Sequence, residues 1–273
     1  MTGQPHPDSE SILAPQKPQF LRVGAPPDER PIAFLRRAPA HSGRPGVVWF
    51  CGYNSDMAST KASALDEEAA RRGFALLRFD YSGHGLSGGR FEDSTISRWL
   101  EESLAVVREQ SEGPQILVGS SMGGYLALLA ARALHEAGED GRLAGMILIA
   151  PAVDMTEALM WANLPDEGKR AIIENGAWAR PSAYSPEPYL ITRRLIEDGR
   201  GHLMLDRVIR TYCPVSILQG MRDDDVPYKH SLALMERLVC DPATLTLVRD
   251  GDHRLSRPQD IALMIETLGR HLA

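Results

Sequence analysis

The chain has 273 residues, of which 43% are hydrophobic, and it carries a formal net charge of −6 at pH 7. This apolar fraction is sufficient for a large buried core and excludes an intrinsically disordered chain. An acidic sequence without a run of Lys or Arg argues against nucleic acid as a partner. No window approaches the roughly 18 uninterrupted apolar residues of a transmembrane helix, so no membrane span is expected.

Residues 1–19 are rich in proline and polar side chains, and they are predicted to form a flexible N-terminal tail. They lack the basic and apolar regions of a signal peptide, and their acidic residues are atypical of a mitochondrial transit peptide. The three cysteines, Cys51, Cys213 and Cys240, are too few for a disulfide framework and lie in apolar stretches. We therefore expect a cytoplasmic protein with free thiols.

From residue 20 onward, short apolar runs alternate with helical patterns. Eight of these runs predict strands, because they are rich in β-forming residues and most are apolar on both faces. The predicted strands are Phe20–Val23, Ile32–Arg36, Gly46–Phe50, Phe74–Phe79, Gln115–Val118, Met146–Ile149, Val215–Leu218 and Thr244–Val248. The first two flank a segment that contains Pro-Pro-Asp-Glu-Arg, which predicts an antiparallel hairpin.

Three helical patterns lie between the early strands. One has small and apolar residues at helical spacing from Ala58 to Ala69 and ends near Gly73, a predicted C-cap. A second extends from Ile96 to Val107, and a third, Tyr125–Leu134, is apolar on nearly all sides and predicts a buried helix. Strands that alternate with helices predict a mostly parallel sheet that is covered on both faces.

About 60 residues between the sixth and seventh predicted strands contain no strong strand pattern, which is longer than an ordinary connection. Their many Met, Leu, Trp and Tyr side chains make them too apolar for a linker. We interpret residues 152–212 as a mainly helical lid. It is inserted into a core domain formed by residues 20–151 and 213–273.

The segment G-S-S-M-G-G at residues 119–124 follows the fifth predicted strand and precedes the buried helix. It has the pattern G-x-S-x-G in a strand–turn–helix context. Only small residues fit at Gly119 and Gly123 of so tight a turn, which raises the Ser121 hydroxyl above the edge of the sheet. Ser121 is therefore the candidate nucleophile, whereas Ser120 is interpreted as a plain turn serine.

A serine nucleophile needs a neighbouring base, and that base needs an acid to orient it. The strand V-S-I-L is followed by Asp223, Asp224 and Asp225, and the strand T-L-T-L-V is followed by His253. Because parallel strands end at one edge of the sheet, these side chains are expected near Ser121. The residues alone leave two candidates for the acid, Asp223 and Asp224.

These motifs resemble those of the α/β-hydrolases over residues 20–273. The loop C-G-Y-N-S-D-M at residues 51–57 is similar to the family's oxyanion loop, and D-Y-S-G-H-G-L-S at residues 80–87 is similar to its D-x-x-G-x-G-x-S segment. A narrower resemblance, to the ABHD10-like branch, is carried by four motifs: C-G-Y-N-S-D-M, G-S-S-M-G-G, G-M-R-D-D-D-V-P at residues 220–227 and G-D-H-R-L-S at residues 251–256. That branch contains serine thioesterases that remove palmitoyl groups from proteins and esterases that cleave acyl glucuronides.

The resemblance implies an α/β-hydrolase fold with a mostly parallel eight-stranded sheet, helices on both faces and a small helical lid. It aligns the acid with Asp223 through the pattern G-x-x-D-x-x-V-P, and it assigns the oxyanion hole to the backbone N–H groups of Tyr53 and Met122. Cys51 stands where many relatives carry histidine, which leaves those amides in place but is expected to change how the loop is supported. We interpret His84 as a structural hydrogen-bonding residue.

Ser121, His253 and Asp223 together predict a serine hydrolase that forms an acyl-enzyme intermediate. Its substrate is expected to be a small-molecule or acylated ester or thioester with an apolar acyl group, because the lid is rich in apolar side chains. The alternatives are a catalytically silent binding protein of this fold, and a C–C hydrolase or cofactor-free haloperoxidase on the same triad. No paired Cys or His occurs at metal-ligand spacing, so neither a metal nor another cofactor is expected.

Overall fold

In the computed structural model, the predicted strands form one sheet and a smaller sheet lies in the inserted segment. The structure describes residues 16–40, 43–180 and 189–273. The ten strands of these residues are β1 (Gln19–Val23), β2 (Arg30–Arg37), β3 (Gly46–Phe50), β4 (Leu76–Phe79), β5 (Gln115–Ser120), β6 (Leu143–Ile149), β7 (Ala177–Arg180), β8 (Tyr189–Thr192), β9 (Val215–Gly220) and β10 (Ala243–Val248). All except β7 and β8 belong to the main sheet.

The main sheet has the strand order β1-β2-β4-β3-β5-β6-β9-β10. β2 pairs antiparallel with both β1 and β4, and the other neighbouring strands are parallel. The mostly parallel eight-stranded sheet is therefore confirmed, as is the antiparallel hairpin at its edge.

Helices cover the sheet in two groups. The α-helices of the described residues are α1 (Thr60–Arg72), α2 (Ile96–Gln110), α3 (Met122–Glu136), α4 (Asp166–Asn175), α5 (Arg193–Gly199), α6 (Tyr228–Arg237) and α7 (Pro258–His271). α1 contacts α7, and α2 contacts α3. Gly73 ends α1 in the left-handed region at φ 73°, which confirms the predicted glycine C-cap.

The centre of the sheet is buried on both faces. Every residue of β3, β4 and β5 is buried, and α3 is apolar almost throughout, as the sequence predicts. Since β3, β5, β9 and β10 run parallel, their carboxyl ends meet at one edge of the sheet. The loops that follow these four strands carry the predicted site residues.

The inserted segment contains helices, and also a small two-stranded sheet that the sequence does not predict. It contains a π-helical turn at Met155–Met160, α4, α5 and an antiparallel pair formed by β7 and β8. Each of these two strands has only four residues, which is too short for a periodic pattern to show in the sequence. Leu164, Ile172, Ile191 and Ile196 form a small apolar cluster there. The division of the chain at residues 152 and 212 stays a prediction.

Three further predictions concern the N-terminal residues, the cysteines and membrane spans. The predicted tail lies outside the described residues up to residue 15, and Gln19 already belongs to β1. The three cysteines are free thiols, as predicted. The longest described helices, α2 and α3, have 15 residues each, and no helix among the described residues combines the length and apolarity that crossing a bilayer requires.

Candidate active site

Ser121 occupies a strained turn between β5 and α3. Its backbone angles are φ 54° and ψ −118°, which are unfavourable for a residue with a side chain. A Cβ atom on Gly119 would lie 2.4 Å from the carbonyl oxygen of Gly123, and one on Gly123 would lie 2.1 Å from that of Phe50. The turn therefore requires glycine at both positions, as the sequence predicts, and it places the serine beyond the end of the strand.

His253 and Asp223 complete a chain of hydrogen bonds to Ser121. His253 Nε2 lies 3.1 Å from Ser121 Oγ, and His253 Nδ1 lies 2.8 Å from Asp223 Oδ2. An ionised carboxylate only accepts hydrogen bonds, so Nδ1–H donates to Asp223 and Nε2 accepts from the serine hydroxyl. The Asp223 side chain is fully buried, whereas Asp224 is exposed, and the structure therefore brings Asp223 and not Asp224 to the histidine.

Asp223 is fixed by its own hydrogen bonds. Its Oδ1 accepts the backbone N–H groups of Asp225 at 3.0 Å and Val226 at 2.8 Å, and its Oδ2 also accepts Gln219 Nε2 at 3.1 Å. These three donors fix the orientation of the carboxylate. Gln219 is a contributor that the motif did not single out.

The two segments with the predicted oxyanion donors meet at Ser121. Met122 begins α3, so its N–H is among the first-turn amides that have no acceptor within the helix. On the other side, a Cβ atom on Gly52 would lie 3.3 Å from Ser120 O and 3.5 Å from Ser121 Cβ. The loop that carries Tyr53 thus packs directly against the turn of the serine.

His84 supports this loop. Its Nε2 accepts the backbone N–H of Asn54 at 3.1 Å, and its Nδ1 faces the carbonyl oxygen of Ser82 at 3.2 Å. Burial lowers the pKa of His84 to about 4, so the ring is neutral and can accept and donate at once. The structural role predicted for His84 is confirmed, and the residue that it holds is the neighbour of Tyr53.

Cys51 has little part in that support. Its thiol is buried and lies 3.9 Å from the carbonyl oxygen of Phe79. Burial raises the pKa of this thiol well above its ordinary value, which makes it a poor nucleophile. The Tyr53 side chain instead fixes the loop to the inserted segment, because its hydroxyl donates to Leu190 O at 2.8 Å.

Two cavities open at Ser121 and His253. One has a volume of about 140 Å³, and most of its wall among the described residues is apolar, although the charged residues Arg180 and Asp225 also line it. The apolar lining residues are Ala152, Met155, Leu159, Met160, Ile191 and Val226. The other has a volume of about 550 Å³ and a mainly polar wall. A larger cavity of about 820 Å³ lies at the amino ends of β3, β4 and β5, at the opposite edge of the sheet from these side chains.

Only part of the predicted lid lining reaches the apolar cavity. Trp161 and Trp178 pack against the small apolar cluster of the inserted segment instead. Among the described residues, Asp223, Asp225 and His253 could offer metal ligands within 4.8 Å of one another. Two of these residues are already hydrogen-bonded to one another through His253 Nδ1 and Asp223 Oδ2.

Comparisons with known proteins place this chain in a family. The family model described as "Serine aminopeptidase, S33" matches residues 43–192. The mouse protein named palmitoyl-protein thioesterase ABHD10, mitochondrial, is 36% identical over 96% of this chain and 90% of its own length. The chain belongs to this family of α/β-hydrolases.

Solved structures agree with the α/β-hydrolase assignment. A protein from Agrobacterium vitis S4 is 50% identical, with a TM-score of 0.91 over 95% of this chain and 100% of its own. The mouse α/β-hydrolase domain-containing protein 10 is 35% identical, with a TM-score of 0.81 over 93% of this chain and 97% of its own. The resemblance, the fold and the prediction of a hydrolase enzyme are confirmed. These relatives support hydrolysis of ester or thioester bonds as its class.

The predicted cytoplasmic location is wrong. The mammalian relatives are named as mitochondrial proteins, which points away from the cytoplasm. Our prediction depended on free thiols and on the residues near the start of the chain. Free thiols indicate a reducing compartment, and the cytoplasm is only one such compartment.

Proposed function

We propose that this α/β-hydrolase cleaves carboxylic esters or thioesters with an apolar acyl group, through a Ser121–His253–Asp223 triad and an acyl-enzyme intermediate. The observation that carries the proposal is the continuous hydrogen-bond chain from Ser121 Oγ through His253 to the buried Asp223 carboxylate. Such a chain is what converts a weakly nucleophilic hydroxyl into an attacking group.

In the first half of the reaction, Ser121 Oγ attacks the acyl carbonyl carbon while His253 Nε2 takes the hydroxyl proton. Asp223 stabilises the imidazolium that forms, and the N–H groups of Tyr53 and Met122 stabilise the oxyanion. Each such donor contributes about 3–4 kcal/mol in comparable hydrolases. The tetrahedral intermediate then collapses, the carbon–oxygen or carbon–sulfur bond breaks, and His253 gives its proton to the leaving group.

In the second half, water attacks the acyl-enzyme. His253 accepts a proton from the water molecule, and the same two N–H groups stabilise the second oxyanion. Collapse of this intermediate breaks the bond to Ser121 Oγ, which recovers its proton from His253. The carboxylic acid leaves, and the enzyme returns to its starting state.

The acyl group is assigned to the apolar cavity. Its wall is formed in part by Met155, Leu159, Met160 and Ile191, which belong to the proposed lid, residues 152–212. Each buried CH₂ group contributes about 0.8 kcal/mol to binding. A dry protein cavity of about 150 Å³ holds a benzene molecule. A volume of about 140 Å³ therefore fits an acyl group of roughly six carbons.

The test of the mechanism is a pair of alanine variants, with p-nitrophenyl butyrate as substrate. Ser121→Ala is expected to remove turnover with the fold retained, because it deletes the attacking oxygen. Ser120→Ala makes the same chemical change one residue earlier and is expected to retain turnover. Wild-type rates in Ser121→Ala, with circular dichroism and the melting temperature unchanged, would contradict the proposal.

A further inference from the structure

The polar cavity adjoins the apolar one at the nucleophile. It shares Tyr53, Ser121 and His253 with that cavity, so a substrate with its acyl chain in the apolar cavity extends its leaving group into the polar one. At about 550 Å³, the polar cavity has the size of a ligand site. The polar residues of its wall include Trp49, Asp56, Ser59, Lys61 and Arg254.

Lys61 is a buried cation at the wall of this cavity. It is 8% exposed, and its ammonium donates to the carbonyl oxygen of Arg254 and, at 3.3 Å, to Ser256 Oγ. Neither acceptor carries a charge, and no carboxylate of the described residues forms an ion pair with Lys61. Buried ammonium groups are normally paired with an anion. An ammonium has three N–H donors, so a further acceptor can be bound.

The charges around Lys61 do not replace such a partner. Burial, followed by the charge of Arg254, lowers the pKa of the Lys61 ammonium to about 8, although Asp252 and Asp260 act in the opposite direction. Asp56 is the carboxylate of the cavity wall, and its Oδ1 already accepts the Ala58 N–H at 2.8 Å.

The start of α1 presents further donors at the same wall. Lys61 lies in the first turn of α1, which contains no acidic residue, and Ser59 makes no capping hydrogen bond there. A cation is unfavourable at this positive end of a helix dipole, whereas an anion is favourable. Ser59 Oγ and Trp49 Nε1 are buried without a partner among the described residues, and Trp49 is 1% exposed. The sequence places an unpaired cation where the helix favours an anion.

We propose that this cavity is a leaving-group subsite that binds the phosphate group of a phosphorylated alcohol or thiol against Lys61 and the start of α1. The inference rests on the proposed function and adds the class of leaving group. Phosphate is favoured over a carboxylate because one cavity wall carries several separate donors, and a phosphate group offers three strong acceptor oxygens. A helix N-terminus combined with a lysine is a usual phosphate-binding arrangement in proteins.

The test compares thioesters that differ only in the phosphate group. S-Butyryl-pantetheine and S-butyryl-4′-phosphopantetheine form one pair, and S-ethyl thiobutyrate and its 2-phosphorylated analogue form a shorter pair. S-Butyryl-3-mercaptopropionate carries a carboxylate instead. Released thiol is measured, and kcat/KM is compared for the wild type, Lys61→Gln, Lys61→Met and the control Lys229→Gln. Lys229 is an exposed residue of α6, so its substitution makes the same change of charge elsewhere.

In at least one pair, the wild type is expected to prefer the phosphorylated substrate by roughly ten- to a hundredfold, the range of a hydrogen bond to a charged group. Lys61→Gln and Lys61→Met are expected to reduce this ratio to near one, and Lys229→Gln to retain it. Equal kcat/KM within both pairs in the wild type overturns the proposal. A ratio that survives in the Lys61 variants, or a preference for the carboxylate substrate alone, also overturns it.

The pH dependence of the wild-type preference, the ratio of kcat/KM for the phosphorylated and unphosphorylated substrates, tests the role of Lys61 without a variant. Since kcat/KM reports the free enzyme, the ratio is expected to fall toward one above pH 8, by at most about tenfold per pH unit, as Lys61 loses its proton. A ratio that stays constant from pH 7 to pH 10 contradicts the proposal. Ser121→Ala separates the two proposals. If this variant is active, the triad is refuted. If it is inactive but the wild type shows no preference for phosphorylated substrates, only the leaving-group subsite is refuted.

Discussion

Replacing His84 by phenylalanine tests how the loop with Tyr53 is supported. Phenylalanine retains an aromatic ring between Tyr53 and Trp99, but it cannot accept the N–H of Asn54. The Ser82 carbonyl oxygen loses the His84 hydrogen bond yet still accepts Trp99 Nε1 at 3.2 Å and Ser94 Oγ at 3.2 Å. The substitution therefore leaves one backbone N–H group without its acceptor, and we expect a loss of about 1–3 kcal/mol in unfolding free energy.

Activity should fall more steeply than stability. The neighbouring amide of Tyr53 is a proposed oxyanion donor, and loss of such a donor lowers kcat by roughly a hundred- to a thousandfold. Because the loop in His84→Phe is displaced and not deleted, we expect a decrease in kcat of roughly ten- to a hundredfold with little change in KM. Steady-state kinetics with p-nitrophenyl butyrate measures this, and His135→Phe on the surface of α3 is the control.

The same variant has a pH signature. The folded pKa of His84, about 4, lies below the unfolded value of about 6.5, so the unfolded chain binds more protons between these pH values. Stability contributed by the neutral ring is therefore complete above about pH 6.5 and is lost as the pH falls toward 4, by about 3 kcal/mol. His84→Phe should lack this loss in urea unfolding. Wild-type kcat and an unchanged pH dependence of stability in the folded His84→Phe variant would show that His84 does not support the loop with Tyr53.

Three further predictions concern the triad, the turn and the acyl cavity. Asp223→Asn should lower kcat by about 10⁴-fold while Asp224→Asn retains activity, and the reverse order in an ester assay would assign the acid to Asp224. Gly123→Ala should cost more than about 3 kcal/mol in urea unfolding or prevent folding, since its Cβ atom would lie 2.1 Å from Phe50 O, and a wild-type midpoint would contradict this. Leu159→Trp should fill the apolar cavity and move the optimum of a C2 to C16 p-nitrophenyl ester series to shorter chains, whereas an unchanged optimum would place the acyl group elsewhere.

The elements that the sequence predicts well are those with strong local patterns. Strands such as β3 and β5 are buried throughout and centre on apolar runs, and the glycines around Ser121 lie where any side chain would collide with backbone atoms. The three consecutive aspartates are different, because nothing in the residues themselves decides which one faces His253. Burial and the N–H groups of Asp225 and Val226 select Asp223, and both depend on how the loop folds.

Other features depend on contacts between distant segments, which local patterns do not encode. The hydrogen bond from Asn54 to His84 joins two loops, and the pairing of β7 with β8 joins strands of four residues each. In the sequence, Lys61 cannot be distinguished from an ordinary lysine of a helix. Its significance follows only from the packing of α1 against the loop after His253.

In the proposed mechanism, Ser121 becomes acylated during turnover. The direct measurement is rapid acid quench of the enzyme with a butyryl thioester, followed by intact-mass and peptide mass spectrometry. Labelling by a fluorophosphonate probe serves as the parallel readout. We expect a mass increase of one butyryl group on the peptide that contains Ser121, absent in Ser121→Ala, and probe labelling at the same residue. Turnover with no acyl adduct and no probe label on Ser121 would contradict this mechanism.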